Sequence, residues 1–391
     1  MDKQFTIIQS LCRAIISKND ELIVHQLGRL ADNYANNGQD KEARSIRSYM
    51  GRINNLGSLN VVNLSTSLFV SGEKLTKNVV IPTDKETSMP LLEILFDDDL
   101  PLQGPLFNDN VMEAVNSLVL EWTNYDKLVK AGAAPSRSCL IYGRPGTGKT
   151  FLAKWIPKLM GLPIVLARLD GLMSSFLGTS SRNIRTLFEF ANRYKCILLL
   201  DEFDAIAKLR DDPQEVGEIK RVVNSLLQNL DERENIGFTI GITNNEVLLD
   251  PAVWRRFDAQ IEIPAPNKKV IEKLLRTYIK PVLLSDGEFK FLSWCLQGST
   301  GADIQKLTNW IKRMKLLDEY KNDNIITLIR RYALLNTGRI SKNVKEMLNQ
   351  DDDKLVQYIL DSDIDVKKKD VAEIFSISPS SLSKQISKSK L

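Results

Sequence analysis

Short, mainly apolar runs alternate with longer segments of helical spacing across the middle of the chain. The runs occupy residues 138–142, 196–200 and 238–243, and polar residues bound each of them. An apolar run of this length is typical of a strand that is buried on both faces of a sheet. Between about residues 91 and 264, the alternation of such strands with helices predicts an α/β fold. We expect a parallel sheet with helices on both faces.

Both ends of the chain show the three- and four-residue spacing of helices instead. The N-terminal segment has the offsets of a single tetratricopeptide-like hairpin, and a generic helical hairpin fits it as well. The stretch that follows is rich in Asn, Ser, Gly and Thr, as in a linker or a small irregular β segment. We predict a helical docking module (1–55), a linker (56–90), a large α/β domain (91–264), a small all-helical domain (265–345) and a helical tail (346–391).

The segment after the first apolar run carries phosphate-binding chemistry. It reads Gly143-Arg144-Pro145-Gly146-Thr147-Gly148-Lys149-Thr150 and fits the pattern G-x-x-x-x-G-K-[ST] at every position. Glycines let backbone N–H groups wrap around phosphates, and a helix that begins here adds its positive N-terminal end. Lys149 can reach the β- and γ-phosphates, and Thr150 can bind Mg²⁺. The sequence therefore predicts a P-loop site for ATP and Mg²⁺.

Polar residues with matching chemistry follow the other two runs. Asp201 and Glu202 come directly after 196–200, and Asn244 comes after 238–243. In a P-loop ATPase, the first carboxylate holds the Mg²⁺ shell and the second polarises the attacking water. The amide of Asn244 can hydrogen-bond the γ-phosphate or the water. We therefore predict Lys149, Asp201, Glu202 and Asn244 as catalytic residues.

Two adjacent arginines, Arg255 and Arg256, end a short helical stretch further along the chain. Their guanidinium groups suit bidentate contacts to phosphate. They lie too far from the P-loop in sequence to be predicted as ligands of the same nucleotide. We therefore expect them to act as arginine fingers on the nucleotide of a neighbouring copy.

The composition and the cysteine positions indicate the compartment and the partners to expect. The 391 residues are 43% hydrophobic and carry a formal net charge of +4, which by itself does not indicate nucleic acid. Cys139 and Cys196 fall inside apolar runs, as expected of buried thiols in a reducing compartment. The N-terminus lacks the features of a signal peptide, and no stretch reaches the ~20 apolar residues of a membrane span. We expect a cytoplasmic protein with no membrane partner, and a structural role for the single histidine, His25.

Taken in order, these motifs resemble the AAA family of ATPases over roughly residues 91–320. Further stretches fit: 175–188 is similar to the family's pore loop and the helix after it, and 218–227 to the helix of its second region of homology. Residues 300–304 are similar to the start of the sensor-2 helix, in the version with Gly301 and Ala302 in place of arginine.

The resemblance implies a homo-oligomer, a hexameric ring with ATP bound between subunits, in which the small helical domain forms a lid. It implies Asn244 as sensor 1, Arg255 and Arg256 as the fingers, and Gly301 and Ala302 beside the nucleotide.

The resemblance also implies that Phe176, Leu177 and Gly178 line a central pore and grip an extended polypeptide. An aromatic side chain on a moving loop offers apolar contact without sequence selectivity. A position in the core is the alternative for Phe176.

The chain departs from the family pattern at several positions. Arg144 stands where most members carry proline, and Phe203 stands where a smaller residue is usual. No glycine separates Arg255 from Arg256, which leaves open which of them reaches the phosphate. Pro157 falls inside the helix after the P-loop and is predicted to kink or shorten it.

The tail contains a second pattern, because residues 369–386 resemble a helix-turn-helix. Ala372 falls where the two helices meet, Ser376 in the turn, and Leu382 and Ile386 on the inner face of the second helix. Lysines nearby can contact DNA phosphates. A small helical pair that packs on the ring or binds protein is the alternative.

Three functional hypotheses follow. The first is a ring ATPase that remodels, unfolds or translocates protein substrates through its pore. The second is a DNA-linked ATPase that uses the tail as its reader. The third is a nucleotide-gated scaffold, or the ATPase partner of a separately encoded protease, that docks through residues 1–55.

Overall fold

A computed structural model describes residues 30–31, 34, 72–168, 172, 179–202, 216–233, 237–245, 249, 251–336, 338–362, 364 and 366–388. At residues 216–221, 385, 387 and 388 it describes the backbone alone. The chain divides into two units, residues 1–63 and 64–391. In the first unit, Leu30, Ala31 and Tyr34 are helical. The remainder of the predicted N-terminal module, with Cys12 and His25, lies outside the described residues.

A six-stranded sheet forms the centre of the second unit, with the strand order β1-β3-β4-β5-β2-β6. Five strands are parallel, and β1 pairs with β3 in the antiparallel direction. The predicted α/β fold with a parallel sheet is therefore confirmed. The strands are β1 (Leu92–Leu95), β2 (Ser138–Tyr142), β3 (Ile164–Ala167), β4 (Ile197–Leu200), β5 (Thr239–Thr243) and β6 (Ala259–Glu262).

Helices cover both faces of this sheet and continue to the end of the described chain. Those of the sheet region are α1 (Asp109–Thr123), α2 (Tyr125–Lys130), α3 (Lys149–Met160), α4 (Thr179–Arg193), α5 (Val216–Arg233) and α6 (Pro251–Trp254). The later helices are α7 (Lys268–Tyr278), α8 (Asp286–Cys295), α9 (Gly301–Leu316), α10 (Ile325–Leu335), α11 (Lys342–Leu348), α12 (Asp352–Asp361), α13 (Lys368–Phe375) and α14 (Pro379–Lys388).

Alternate residues of the buried strands feed two separate cores. Leu140 and Leu198 pack with α4 and α5 on one face, whereas Ile141 and Leu199 pack with α1 and α3 on the other. Every residue of β4 and β5 is buried, including Thr239 and Thr243, which explains why neither strand contains a charged residue. The thiols of Cys139 and Cys196 are free and buried as predicted, and burial raises the pKa of each.

Helix α3 keeps its length despite Pro157. The proline lies in the last turn of the helix, which ends at Met160, and Gly161 caps it in the left-handed conformation. A proline in the last turn removes one backbone hydrogen bond close to where the helix would end in any case.

Residues 72–90 run along α4 with isolated β-bridges and no regular element. Asp84 is buried and accepts hydrogen bonds from the side chain of Asn183 in α4 and from the backbone N–H groups of Thr87 and Glu86. These bonds, the Asn183 one first, hold the pKa of Asp84 at about 2, well below the ordinary value of 3.8. The segment is thereby fixed to the start of α4.

Helices α7 to α14 share one hydrophobic core that extends from Val270 to Leu382. The predicted boundary between residues 345 and 346 falls inside this core. No helix among the described ranges is long and apolar enough to cross a bilayer.

Candidate functional site

The strand order brings the predicted catalytic residues to one edge of the sheet. Strand β5 lies between β4 and β2, and all three are parallel. Their carboxyl ends therefore meet. Strand β4 leads directly into Asp201, β5 into Asn244 and β2 into Gly143. This edge is where open α/β sheets bind their ligands.

The P-loop turns through a backbone shape that favours glycine. Gly143, Gly146 and Gly148 have φ angles of 139°, 80° and 102°. A Cβ atom on Gly143 would lie 2.5 Å from the carbonyl oxygen of Ile263, so a larger residue would displace β6. Helix α3 begins at Lys149, immediately after the loop, and its positive end faces the same edge.

Lys149 is buried and folded back over the loop that precedes it. Its Nζ donates to the carbonyl oxygens of Gly143 at 2.7 Å and of Arg144 at 2.9 Å. Phosphate oxygens are charged and accept such bonds more strongly than carbonyls do. The ammonium group is therefore placed to bind a phosphate that enters the loop.

Thr150 and Asp201 form the pair expected to hold Mg²⁺. The Thr150 hydroxyl donates to Asp201 Oδ2 at 3.0 Å, although the two residues are far apart in sequence. A hydroxyl and a carboxylate are hard oxygen ligands, and Mg²⁺ is usually held by one or two such protein groups together with substrate phosphates and water. This donor set fits Mg²⁺ bound with ATP, whose charge the ion would neutralise.

Glu202 has the left-handed backbone conformation, with φ of 53°. Its backbone N–H donates to Asp201 Oδ1 at 2.8 Å, and its side chain is exposed at the sheet edge. A non-glycine residue in this region costs about 1–2 kcal/mol and is concentrated at functional sites. The strained turn after β4 therefore places the predicted catalytic carboxylate of Glu202 at the sheet edge, and its backbone conformation costs folding free energy.

The predicted small helical domain (265–345), called the lid below, reaches the P-loop through the start of α9. The backbone N–H of Ala302 donates to the carbonyl of Gly146 at 3.0 Å. Thr300 caps the helix, and Asp303 is held by Thr300 and by Arg339 at 2.7 Å. Burial raises the pKa of Asp303, but the bonds from Thr300 and Arg339 outweigh it and lower the pKa overall. Gly301 and Ala302 thus lie against the P-loop, and their predicted place beside the nucleotide stays a prediction.

A cavity of about 830 Å³ opens beside the loop and includes Thr150 and Asn244 in its lining. The sequence did not predict its far wall, which comes from residues 101–108, the strand-to-lid connection and α7. Prolines and short apolar side chains in an irregular loop form no pattern that indicates a base-binding wall. The residues of this wall that offer apolar surface are Pro101, Leu102, Leu106, Phe107, Ile263, Pro264, Pro266, Leu274 and Tyr278.

Residues 139–265 match the family model described as "ATPase family associated with various cellular activities (AAA)". The match covers the P-loop, the Asp201-Glu202 pair, Asn244 and both arginines. This part of the chain is an AAA-family ATPase domain.

The AAA domain is similar to several curated relatives. An uncharacterized AAA family ATPase, y4kL, of Sinorhizobium fredii is 39% identical over 53% of this chain and 64% of its own length. The proteasome-activating nucleotidase of Methanosarcina mazei is 30% identical over 58% and 56%. The ATP-dependent zinc metalloprotease FtsH of Aquifex aeolicus is 32% identical over 51% and 33%. The chain thus spans between a third and somewhat less than two thirds of the length of these relatives.

An asparagine just before α1 connects the sheet region to the first residues of the lid. Asn108, just before α1, accepts from the backbone N–H of Asn267 at 2.9 Å and donates to the carbonyl of Ala265 at 3.3 Å. Asn267 in turn caps α7 through a bond from the N–H of Val270 at 3.0 Å. Asn108 therefore fixes the first residues of the lid beside the cavity, and no local sequence pattern indicated this role.

The two arginines of the AAA domain have different surroundings. Arg256 donates through Nε and Nη2 to the two carboxylate oxygens of Asp231, at 3.0 and 3.3 Å, and through Nη1 to the carbonyl of Ala252. Arg255 is exposed, and its guanidinium makes no hydrogen bond or ion pair with any residue that the structure describes. Of the two arginines, Arg255 is therefore the one without a partner among the described residues.

Other predicted positions are placed more simply. Arg144 and Pro145 are exposed at the tip of the P-loop, and Thr147 is buried, with its hydroxyl donating to the Arg144 carbonyl at 2.9 Å. Outside the described residues lie Phe203 and the predicted pore residues Phe176, Leu177 and Gly178.

Proposed function

We propose that copies of this chain assemble into a hexameric ring in the cytoplasm, and that the ring hydrolyses ATP between subunits to remodel or translocate protein substrates. One observation above all supports an ATP site that is shared between two subunits. Lys149 is the only basic side chain among the described residues that line the cavity. Phosphoryl transfer needs further positive charge at the γ-phosphate in the transition state. Arg255, which is exposed and has no partner in the part of the chain that the structure describes, can supply this charge to a neighbouring copy.

Within one subunit, each proposed role follows from position. Lys149 binds the β- and γ-phosphates, and Thr150 with Asp201 holds Mg²⁺. Glu202 orients and polarises the attacking water, because its carboxylate is exposed at the end of β4 while its backbone is bound to Asp201. Asn244, at the end of the adjacent strand, contacts the γ-phosphate or the water. The expected contribution of Glu202 is about a hundredfold or more in turnover.

The same architecture connects hydrolysis to movement. The lid contacts the phosphate loop through the N–H of Ala302, so loss of the γ-phosphate changes the surroundings of this contact. The proposed pore residues Phe176, Leu177 and Gly178 immediately precede α4, which packs along α5 of the AAA domain. We propose that a change in nucleotide state moves this segment and pulls a bound polypeptide.

The protein character of the substrate is inferred from the relatives. Two of them carry names that refer to the proteasome and to a metalloprotease. An aromatic residue in the proposed pore loop suits an unfolded chain of any sequence.

A trapping experiment tests this function. Glu202→Gln should bind ATP, hydrolyse it at least about a hundredfold more slowly, and co-purify with its substrate. Phe176→Ala in the same background should release that substrate while the nucleotide stays bound, and Phe176→Tyr should retain it. Full ATP turnover by Glu202→Gln would remove Glu202 from the mechanism. Retention of the same protein by the alanine variant would exclude the pore loop as the gripping element.

A further inference from the structure

The last two described helices form a helix-turn-helix. Helix α13 ends at Phe375, Ser376 takes the left-handed conformation with φ of 54°, and α14 begins at Pro379. The turn is closed by a bond from the backbone N–H of Ile377 to the carbonyl of Ala372 at 2.9 Å. Ala372 is buried where the two helices meet. A three-residue turn between two packed short helices is the geometry of this motif.

This pair of helices packs against the lid helices and is bonded to them. Phe375 and Leu382 are buried in the core that the lid helices share. Asn324 donates to the carbonyl of Phe375 at 3.2 Å, and Lys290 in α8 pairs with Asp370 at 3.5 Å. A Cβ atom on Gly287 would lie 2.8 Å from the Cβ of Asp370, so α8 and α13 are in close contact. The outer face of α14 therefore has a fixed position.

The outer face of α14 is polar, and its described side chains are small except for one lysine. Leu382 is buried on the inner side, whereas Ser380, Ser381, Ser383 and Lys384 are exposed. A protein-docking helix usually presents an apolar stripe, which the described residues of this face lack. Serine side chains allow a helix to approach a groove closely and can bond to either donors or acceptors.

Charge is concentrated in this segment. Residues 367–391 contain six lysines and two carboxylates, and so account for the whole net charge of +4. Both carboxylates are occupied within the fold. Asp370 accepts from the N–H of Lys367 at 2.9 Å and pairs with Lys290, and Glu373 pairs with Lys369 at 3.8 Å. No acidic residue follows Glu373 in the sequence.

We propose that this helix-turn-helix binds duplex DNA, with α14 in the major groove and the lysines at the start of α13 on the flanking phosphates. The B-form major groove, about 12 Å wide, admits an α-helix. The deep, narrow major groove of A-form RNA does not. This inference rests on the tail and the lid alone, so it does not depend on hydrolysis or on ring assembly.

Fluorescence anisotropy of the full-length chain with a labelled duplex of about 30 base pairs, at about 50 mM salt, tests the electrostatic part. Lys368→Glu/Lys369→Glu should weaken binding at least about tenfold and lower the slope of log K against log salt by about two. The matched control Lys273→Glu/Lys321→Glu reverses two exposed lysines elsewhere in the lid and should leave binding unchanged. Absence of binding by the wild type, or an equal loss in the control, would overturn the proposal.

A second variant separates groove docking from simple attraction to lysines. Ser380→Tyr keeps the charge but enlarges the outer face of α14, and should weaken binding about tenfold. Asn322→Tyr, at an exposed loop position of the lid, serves as its control. If Ser380→Tyr binds as tightly as the wild type, or if duplex RNA competes as well as duplex DNA, the helix does not lie in the groove. Loss of DNA binding alone, with full ATP turnover, would support the proposal.

Discussion

Replacing the two arginines one at a time should separate a role in the neighbouring site from a role within the fold. The side chains stand in the same short segment, between Trp254, whose ring lies 5.0 Å from that of Tyr142, and Phe257, which is buried against the sheet. Both are thus held near one place on the surface. They differ in that Arg256 is bound to Asp231 and Arg255 is exposed without a described partner.

The structure sets the expected size of each effect. The Arg256–Asp231 pair is about a third to a half exposed, with side-chain exposures of 35% and 47%, so its loss should cost at most about 1 kcal/mol. Arg256→Ala should therefore lower the melting temperature by a few degrees, and Asp231→Ala should do the same. Arg255→Ala should leave the melting temperature unchanged. It should lower ATP turnover about a thousandfold, the scale on which an arginine finger acts.

A mixing assay shows whether Arg255 acts on a neighbouring copy. Arg255→Ala keeps Glu202 but lacks the finger, whereas Glu202→Gln keeps the finger but lacks the carboxylate. In a ring mixed at random from equal amounts, about a quarter of the sites combine an intact Glu202 with an intact Arg255 from the next subunit. ATP turnover should therefore return to about a quarter of the wild-type rate, measured by phosphate release.

Three results would refute this reasoning. Mixed oligomers that remain inactive would place Arg255 outside the neighbouring site. A thousandfold loss in Arg256→Ala, with normal turnover in Arg255→Ala, would reverse the assignment. A large loss of turnover in both Asp231→Ala and Arg256→Ala would show that the ion pair itself, and not a free guanidinium, matters for hydrolysis.

Three further predictions concern other parts of the structure. Glu202→Asn should keep or slightly raise the melting temperature, because asparagine tolerates φ near 53°. ATP turnover of this variant should fall at least about a hundredfold. A marked loss of stability would contradict the proposed backbone strain at Glu202. Asp84 has its folded pKa lowered to about 2, so its contribution to stability is present above its ordinary pKa of 3.8 and is lost as pH falls towards 2. The difference in denaturant midpoint between wild type and Asp84→Ala should therefore shrink over that range, and a constant difference would argue against it. Asn108→Ala should weaken binding of a fluorescent ATP analogue about tenfold through the lost bonds to the lid connection, whereas Lys269→Ala, which removes an exposed ion pair at the start of α7, should not.

The sequence predicted those parts of the site whose chemistry is contiguous along the chain. The P-loop needs three glycines, a lysine and a hydroxyl within eight residues, and in the structure the Thr150 hydroxyl donates to Asp201 at 3.0 Å. The strands that lead into Asp201 and Asn244 were predictable because burial on both faces keeps charged residues out of them, so they appear as short, mainly apolar runs. Local chemistry and burial therefore determine the phosphate end of the cavity.

Contacts between distant segments were not predictable in this way. Asn108 lies more than 150 residues before the lid residues that it binds, and nothing in its neighbourhood distinguishes it from other loop asparagines. Likewise, the sequence left open which arginine is available, because the answer depends on Asp231, which approaches Arg256 only when α5 packs against the sheet. Such contacts are tertiary, and periodicity carries no information about them.

One strand connects the sites of adjacent subunits in the proposed ring. Strand β5 leads directly into Asn244, which lines the cavity of its own subunit. The same strand contains Gly241, where a Cβ atom would lie 2.7 Å from the ring of Phe257, so the absence of a side chain admits that ring. Phe257 follows directly after the arginine pair. In the proposed ring, a displacement of β5 caused by a γ-phosphate at Asn244 would therefore act on the base of Arg255, and the state of one nucleotide would pass to the next site through a single strand.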